Sequence, residues 1–305
     1  MAIDFEAEYD QYRLACELSG VTVSAFVRPD DHDVVLDGIR LHYLDWGGQG
    51  PPIVFLHGGG LNAHSWDLVS LALRPDFHCY ALDLRGHGDS EWSPVMDYSF
   101  EANSRDLALF IVRLGLDTPV IVGNSLGGLT AIRYASEFAD RLSGLVVVDV
   151  GPNVRSEGVD RILRFMQLPA DLDSVEAYVE RAVEFNPRRD RRLLALTLRH
   201  NLRQLPNGRW TWKYDRRHRM TTNGEEQARR NAGLWPAVHR IDCPTLIVRG
   251  ERSQIFSDND AARLASAMPS AEWTRVLEAG HTVQGDNPAE FISVLRGFLS
   301  KLELR

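Results

Sequence analysis

From residue 52 onward, short apolar runs alternate with helical stretches, and each run stops at a turn residue. Ile53–Leu56 ends at His57-Gly58-Gly59-Gly60, His78–Leu82 at Asp83, Val120–Val122 at Gly123, Leu145–Val148 at Asp149 and Thr245–Val248 at Gly250. Runs this short and this continuously apolar suit strands buried on both faces of a parallel sheet. Helical patterns near 64–73, 101–115, 126–138, 259–267 and 288–303 separate them. Such alternation predicts an α/β class protein with a doubly wound, mostly parallel sheet. Upstream, Val34–Leu36 and Ile39–Trp46 read as extended segments joined by Asp37-Gly38, a strong hairpin turn. Residues 4–18 read as a short amphipathic helix stopped by Gly20.

The rhythm breaks between residues 153 and 238, where helical segments follow one another with no convincing strand run. A structureless loop of that length is improbable inside a compact domain. The pattern predicts an inserted helical cap over 153–238, with the core divided into 1–152 and 239–305. A length of 305 residues suits one large α/β core carrying such an insertion.

Composition narrows the function classes. The net charge of −8 argues against a nucleic-acid partner. Cys16, Cys79 and Cys243 are far apart in sequence, with neither metal spacing nor a disulfide framework, which suits a reducing compartment. The opening Met1-Ala-Ile-Asp-Phe-Glu-Ala-Glu8 is acidic and lacks the apolar core of a secretory signal. No stretch approaches the ~18 apolar residues of a membrane span. The expectation is a soluble cytoplasmic protein that acts on a small molecule, without membrane, metal or cofactor.

The strongest chemical signal is Gly123-Asn124-Ser125-Leu126-Gly127, a G-x-S-x-G pattern between an apolar strand and a helical stretch. A strand that turns sharply into a helix strains the residue at the tip, and small neighbours let the two arms pass. The tip side chain is left exposed at a helix N-terminus, whose dipole favours developing negative charge. A glycine-rich turn with an ordinary serine is the competing reading, and the strand–turn–helix context weighs against it. Glycines in His57-Gly58-Gly59-Gly60 allow backbone N–H groups to face a ligand oxygen. An oxyanion hole needs one donor from this loop, Gly59 or secondarily Gly60, and one from Leu126 after the serine. A phosphate cradle is excluded, because neither G-x-x-x-x-G-K-[ST] nor G-x-G-x-x-G occurs. Of ten histidines, only His281, on a loop after the extended Trp273–Leu277, has the chain order and setting of a general base. His57 and His87 read as turn residues, and His200, His218 and His239 as cap or surface.

These motifs, with Asp83-Leu-Arg-Gly-His-Gly-Asp-Ser90, occur in an order that resembles the α/β-hydrolase superfamily. More narrowly, the chain is similar to its bacterial esterase and C–C hydrolase-like members from about residue 34 to the end. The resemblance implies the α/β-hydrolase fold, a Ser125 nucleophile and a structural role for the Asp83–Ser90 turn. It also implies an acid at one of two strand ends. Many relatives carry an Asp soon after the strand that Thr245–Val248 resembles; here Ser253 and Gln254 stand in its place. The other strand end offers Asp149, which has the right type and order, and Glu251 is the fallback. Asp149 could instead only order the Gly151-Pro152 turn.

Between Arg188 and Arg219 the chain carries ten arginines plus Lys213 against Asp190 and Asp215. These cations read first as a solvated face, with attraction of an anionic substrate as the alternative. Trp210 and Trp212, in an alternating aromatic stretch, and Phe165, with Met166 and Leu168, are candidate substrate contacts that could equally be cap core. The resulting expectation is an ester or lactone hydrolase. C–C bond hydrolysis is the alternative, although Thr282-Val283-Gln284 replaces the Trp that such relatives carry after the histidine. A non-catalytic ligand receptor on the same fold is the reading from another class.

Overall fold

The computed structural model describes residues 5–217 and 223–304. The first four residues of the acidic N-terminal stretch, and His218 and Arg219, lie outside the described residues.

Among the described residues ten strands form: β1 (Asp30–Leu36), β2 (Ile39–Asp45), β3 (Pro52–Leu56), β4 (His78–Leu82), β5 (Val120–Asn124), β6 (Gly144–Val148), β7 (Leu202–Gln204), β8 (Trp210–Trp212), β9 (Thr245–Gly250) and β10 (Ala271–Val276). Eight of them make one sheet in the order β1-β2-β4-β3-β5-β6-β9-β10. β1 and β2 are antiparallel, as are β2 and β4; every other neighbour pair is parallel. The hairpin turn between β1 and β2 has positive φ at both Asp37 (47°) and Gly38 (79°), the conformation that Asp-Gly favours.

Each central strand alternates its side chains between two cores. In β3, Val54 and Leu56 join one cluster, and Ile53 and Phe55 the other; in β6, Leu145 and Val147 oppose Val146 and Val148. Helices Phe100–Leu114, Leu126–Phe138 and Asp258–Ser266 cover the first face, and Asp67–Leu73 and Pro288–Leu299 the second. The apolar runs are therefore apolar because water reaches neither face.

Among the described residues, 153–238 contribute no strand to this sheet. They form helices Ser156–Gln167, Val175–Phe185, Arg191–Leu198, Gly224–Ala232 and Trp235–Val238, and a small antiparallel ribbon of β7 and β8. β7 departs from the helical expectation, whereas β8 falls in the alternating stretch over 210–215, for which a short extended segment is one reading. The three residues of β7 are too few to leave a periodic trace, and the register pairs Leu202 with Trp212 and Gln204 with Trp210. Tyr178, Leu194, Leu198, Trp212 and Tyr214 centre a third hydrophobic cluster that belongs to this segment.

The Asp83–Ser90 turn follows β4 and is a buried polar knot. Asp83 Oδ1 accepts the Ala63 N–H (2.6 Å) and Oδ2 the Asp89 N–H (2.9 Å). Gly88 is obligatory, since a Cβ there would lie 2.1 Å from Asp83 Oδ2. His42 places Nδ1 2.9 Å from Asp83 and Nε2 3.1 Å from Asp31. Two carboxylates facing both ring nitrogens require an imidazolium, which alone donates from each. Burial lowers the His42 pKa, but the hydrogen bonds with Asp31 and Asp83 outweigh it and push it up to about 10. Burial raises the Asp83 carboxyl, yet the His42 hydrogen bond and the neighbouring histidines pull it down to about 2.

The pH dependence follows from those directions. His42 contributes stability that is complete below its unfolded pKa of ~6.5 and is lost as the pH rises toward its folded value near 10. Asp83 contributes above ~pH 4, and that part is lost as the pH falls toward 2. Thermal unfolding followed by circular dichroism should show the midpoint falling between pH 7 and pH 10. His42→Gln should flatten that alkaline decline; parallel declines in the two proteins would refute the assignment.

Candidate active site

β5 runs into helix Leu126–Phe138 with a single residue between them, Ser125, held at φ 52° and ψ −114°. A serine with positive φ is strained, and the surroundings leave no relaxed alternative. A Cβ on Gly123 would lie 2.4 Å from the Gly127 carbonyl oxygen, and one on Gly127 would lie 2.2 Å from that of Leu56. Strand, helix and β3 thus meet at backbone contact, and Ser125 projects from the crossing into a cavity of about 790 Å³.

The loop after β3 packs on this elbow. A Cβ on Gly58 would meet Asn124 Oδ1 at 3.0 Å and Ser125 Cβ at 3.4 Å. His57 is fully buried; its Nε2 accepts the Leu84 N–H (3.0 Å), so Nδ1 carries the proton that reaches the Gly58 carbonyl (2.8 Å). Burial lowers its pKa, which keeps the ring neutral. His57 therefore braces the loop, as a turn residue would. The N–H groups of Gly59, Gly60 and Leu126 have no hydrogen-bond partner among the described residues, and all three residues line the cavity beside Ser125.

His281 reaches the same cavity from the loop after β10. Its backbone carbonyl accepts from Asn124 Nδ2 (3.1 Å), and the same amide nitrogen donates to the Val148 carbonyl (3.1 Å). Asn124, one residue before Ser125, thereby ties the histidine loop to the elbow. His281 Nδ1 lies 2.9 Å from Asp149 Oδ2.

Asp149 directly follows β6, with no exposure and a positive φ of 53°. Its Oδ1 accepts the Gly250 N–H (2.9 Å), and its Oδ2 accepts the Ser253 hydroxyl (2.5 Å) as well as facing His281. Burial pushes its pKa up; His281, Ser253 and the Gly250 amide oppose that push. Of the two carboxylates left open by the sequence, Asp149 meets the histidine. Glu251 is exposed and accepts the Glu278 N–H (3.0 Å) instead.

Sequence reasoning did not anticipate the parts played by Ser253 and Asn124. Ser253 stands where an Asp was expected, and its hydroxyl turns toward the carboxylate on the neighbouring strand. The candidate pocket residues divide. Phe165, Met166 and Trp212 line the cavity with Ile162, Leu163 and Tyr214. Trp210 packs in the cluster of the inserted segment, and Leu168 is exposed; neither lines the cavity. In the basic run, Arg189 lines the cavity but donates to Asp286 (2.6 Å). Arg191, Arg192, Arg209 and Arg217 pair with Glu180, Asp190, Asp173 and Asp215, as the solvated-face reading expects.

Ser253→Ala removes a buried hydrogen bond to a carboxylate, which is worth about 1.5–3 kcal/mol. Urea unfolding should show a loss of that size with an unchanged m-value. An unaltered midpoint would mean that Asp149 does not depend on the hydroxyl.

Comparison with known proteins agrees with this architecture. A family model described as the alpha/beta hydrolase fold matches residues 51–288. The chain is 36% identical over 263 residues to the esterase Rv0045c of Mycobacterium tuberculosis, covering 84% of this chain and 85% of that protein. It is 30% identical over 268 residues to N-formylmaleamate deformylase of Pseudomonas putida, covering 88% and 95%. The crystal structure of the mycobacterial esterase superposes with a TM-score of 0.77 at 34% identity, covering 98% of this chain and 99% of that one. With its parallel sheet, serine elbow and matched family model, this chain belongs to the α/β-hydrolase family.

Proposed function

We propose that this chain hydrolyses carboxylic esters or lactones of small organic substrates through an acyl-enzyme on Ser125. The observation that carries the reading is the 2.9 Å contact between His281 Nδ1 and a fully buried Asp149 carboxylate, beside an elbow serine on the same cavity. With Nδ1–H engaged by Asp149, Nε2 is the basic nitrogen left for a serine hydroxyl. His281 takes the Ser125 proton as Oγ attacks the substrate carbonyl. Asp149 stabilises the imidazolium that forms, and the N–H groups of Leu126 and Gly59, or Gly60, stabilise the oxyanion. The tetrahedral intermediate collapses, and the leaving alcohol departs with the proton from His281. Water then attacks the acyl carbonyl by the same route and restores Ser125. The name of the mycobacterial relative, an esterase, supports the same chemistry.

Residues 153–238 serve as the cap over the two core parts, 1–152 and 239–305. Phe165 and Trp212, on the cap side of the cavity, are the contacts for the apolar part of the substrate. The cavity wall carries Asp97, Glu101 and Asp215 alongside Arg189 and Arg230, and these two arginines are paired with Asp286 and Glu226. This balance favours a neutral substrate over an anionic one.

Turnover of p-nitrophenyl acetate tests the core claim. Ser125→Ala should abolish it, and Asp149→Asn should lower kcat by about 10⁴, because the amide favours the wrong histidine tautomer. Near wild-type turnover in a folded Ser125→Ala protein would remove the acyl-enzyme, and ligand binding without turnover would favour a receptor. Matched neutral and anionic esters should give a higher specificity constant for the neutral one. A preference for the anion would return the arginines to substrate recognition.

A further inference from the structure

A second cavity, of about 110 Å³, lies on the other side of Leu61 and Thr282 from the candidate active site; both residues line the two cavities. Its floor is built by a short 3-10 turn, Ala63–Trp66, which follows the glycine loop after β3. Asn62 caps the turn by accepting the His64 N–H (3.1 Å), while its Nδ2 donates to the His200 carbonyl (2.6 Å). One side chain therefore fixes two histidines that are remote in sequence. Their rings stack with centroids 3.8 Å apart. His64 Nδ1 also lies 3.0 Å from Asp67 Oδ2. One ligating atom from each of His64, Asp67 and His200 falls within 4.8 Å of the others.

The fourth wall holds an independent anomaly. Gln284, on the helical turn after His281, is only 2% exposed and lines this cavity. Neither its Oε1 nor its Nε2 has a hydrogen-bond partner among the described residues. A buried amide without partners costs about 1–3 kcal/mol per orphaned group, and native proteins leave few such groups unexplained. The His200 imidazole has no hydrogen bond among the described residues.

We propose that His64, Asp67 and His200 bind a divalent transition-metal cation, with Gln284 Oε1 as a further oxygen ligand. Two imidazoles with a carboxylate suit zinc, cobalt, nickel or copper, whereas magnesium and calcium prefer all-oxygen sets. Reaching metal–nitrogen distances of ~2.0–2.1 Å requires the two stacked rings to turn until a nitrogen of each faces the ion. The cation replaces the ring stack with a shared ion between the two imidazoles and Asp67, and gives the Gln284 carbonyl oxygen a partner. The other histidine–carboxylate group, His42 with Asp83 and Asp89, is spent on the hydrogen bonds of the Asp83 turn. The site does not depend on the catalytic reading of Ser125.

Isothermal titration of untagged, metal-stripped protein with zinc chloride tests the site. The expected result is one equivalent bound, with magnesium failing to compete. His64→Ala and His200→Ala should each weaken binding by about tenfold or more. Cobalt(II) should give a visible absorption band in the wild type that is lost in both variants. Circular dichroism checks their fold, and His200→Gln replaces His200→Ala if the latter unfolds. An absence of zinc binding, or the same affinity in the double variant, overturns the proposal.

Discussion

A carboxylate with no exposure to water, Asp149, sits at the carboxyl end of a central strand, and its burial shapes the site around it. An unpaired charge in such a place costs several kcal/mol, so each oxygen must be engaged. The partners come from two segments: the end of β9 and its following loop supply the Gly250 N–H and the Ser253 hydroxyl, and the loop after β10 supplies His281. Charge burial therefore fastens two loops to the end of β6. The Ser253 hydroxyl, in turn, accepts the Ile255 and Phe256 N–H groups (3.2 and 3.3 Å), which folds that loop back over the carboxylate. The contact that orients the imidazole is one of those that make the buried charge tolerable.

The elbow supplies the other half of the geometry, and it rests on close backbone approach. Parallel strands buried on both faces place reactive groups at their carboxyl ends, where the chain leaves the sheet. At the end of β5 the chain reverses into a helix without a connecting loop, which is feasible only where Gly123 and Gly127 allow the arms to touch. The strain at Ser125 is held by this crossing. Asn124 then couples the elbow to the His281 loop and to β6, so the serine and histidine segments share a hydrogen-bonding anchor.

The strands of the large sheet were legible because burial on both faces writes an unbroken apolar run, as in Ile53–Leu56 and Leu145–Val148. The elbow was legible because glycine is forced at fixed offsets from the serine. Asp149 could be ranked above Glu251 as an aspartate closing a buried apolar run, but not decided, since the deciding contact spans β6 and the loop after β10. Ser253 looked like a lost acid because a hydroxyl's role depends on what faces it across the sheet. The three residues of β7 left no periodicity, and of Trp210 and Trp212, which pack in one cluster, only Trp212 also reaches the cavity, a difference that their spacing does not encode. The pairing of His64 with His200 is a product of how the inserted segment sits on the core, which local sequence does not encode.

The basic run of the inserted segment shows how position decides the value of a charge. Arg191 with Glu180 and Arg192 with Asp190 are exposed pairs, which are worth little in water. Arg189 differs because its partner, Asp286, belongs to the helical turn just after His281 and is nearly buried, with 8% of its side chain exposed. The second oxygen of Asp286 accepts the Gly280 N–H (2.8 Å), immediately before the histidine. Lys213 reaches Asp89 in the turn after β4 (2.5 Å), and the Asp215 N–H reaches the Gly86 carbonyl there (2.8 Å). The segment is thus joined to the core at the histidine loop and at the Asp83–Ser90 turn, on opposite sides of the central strands β3 and β5. An acidic protein with a basic insert gains a complementary seam between its parts, and the charges that form this seam are not free to recruit an anion.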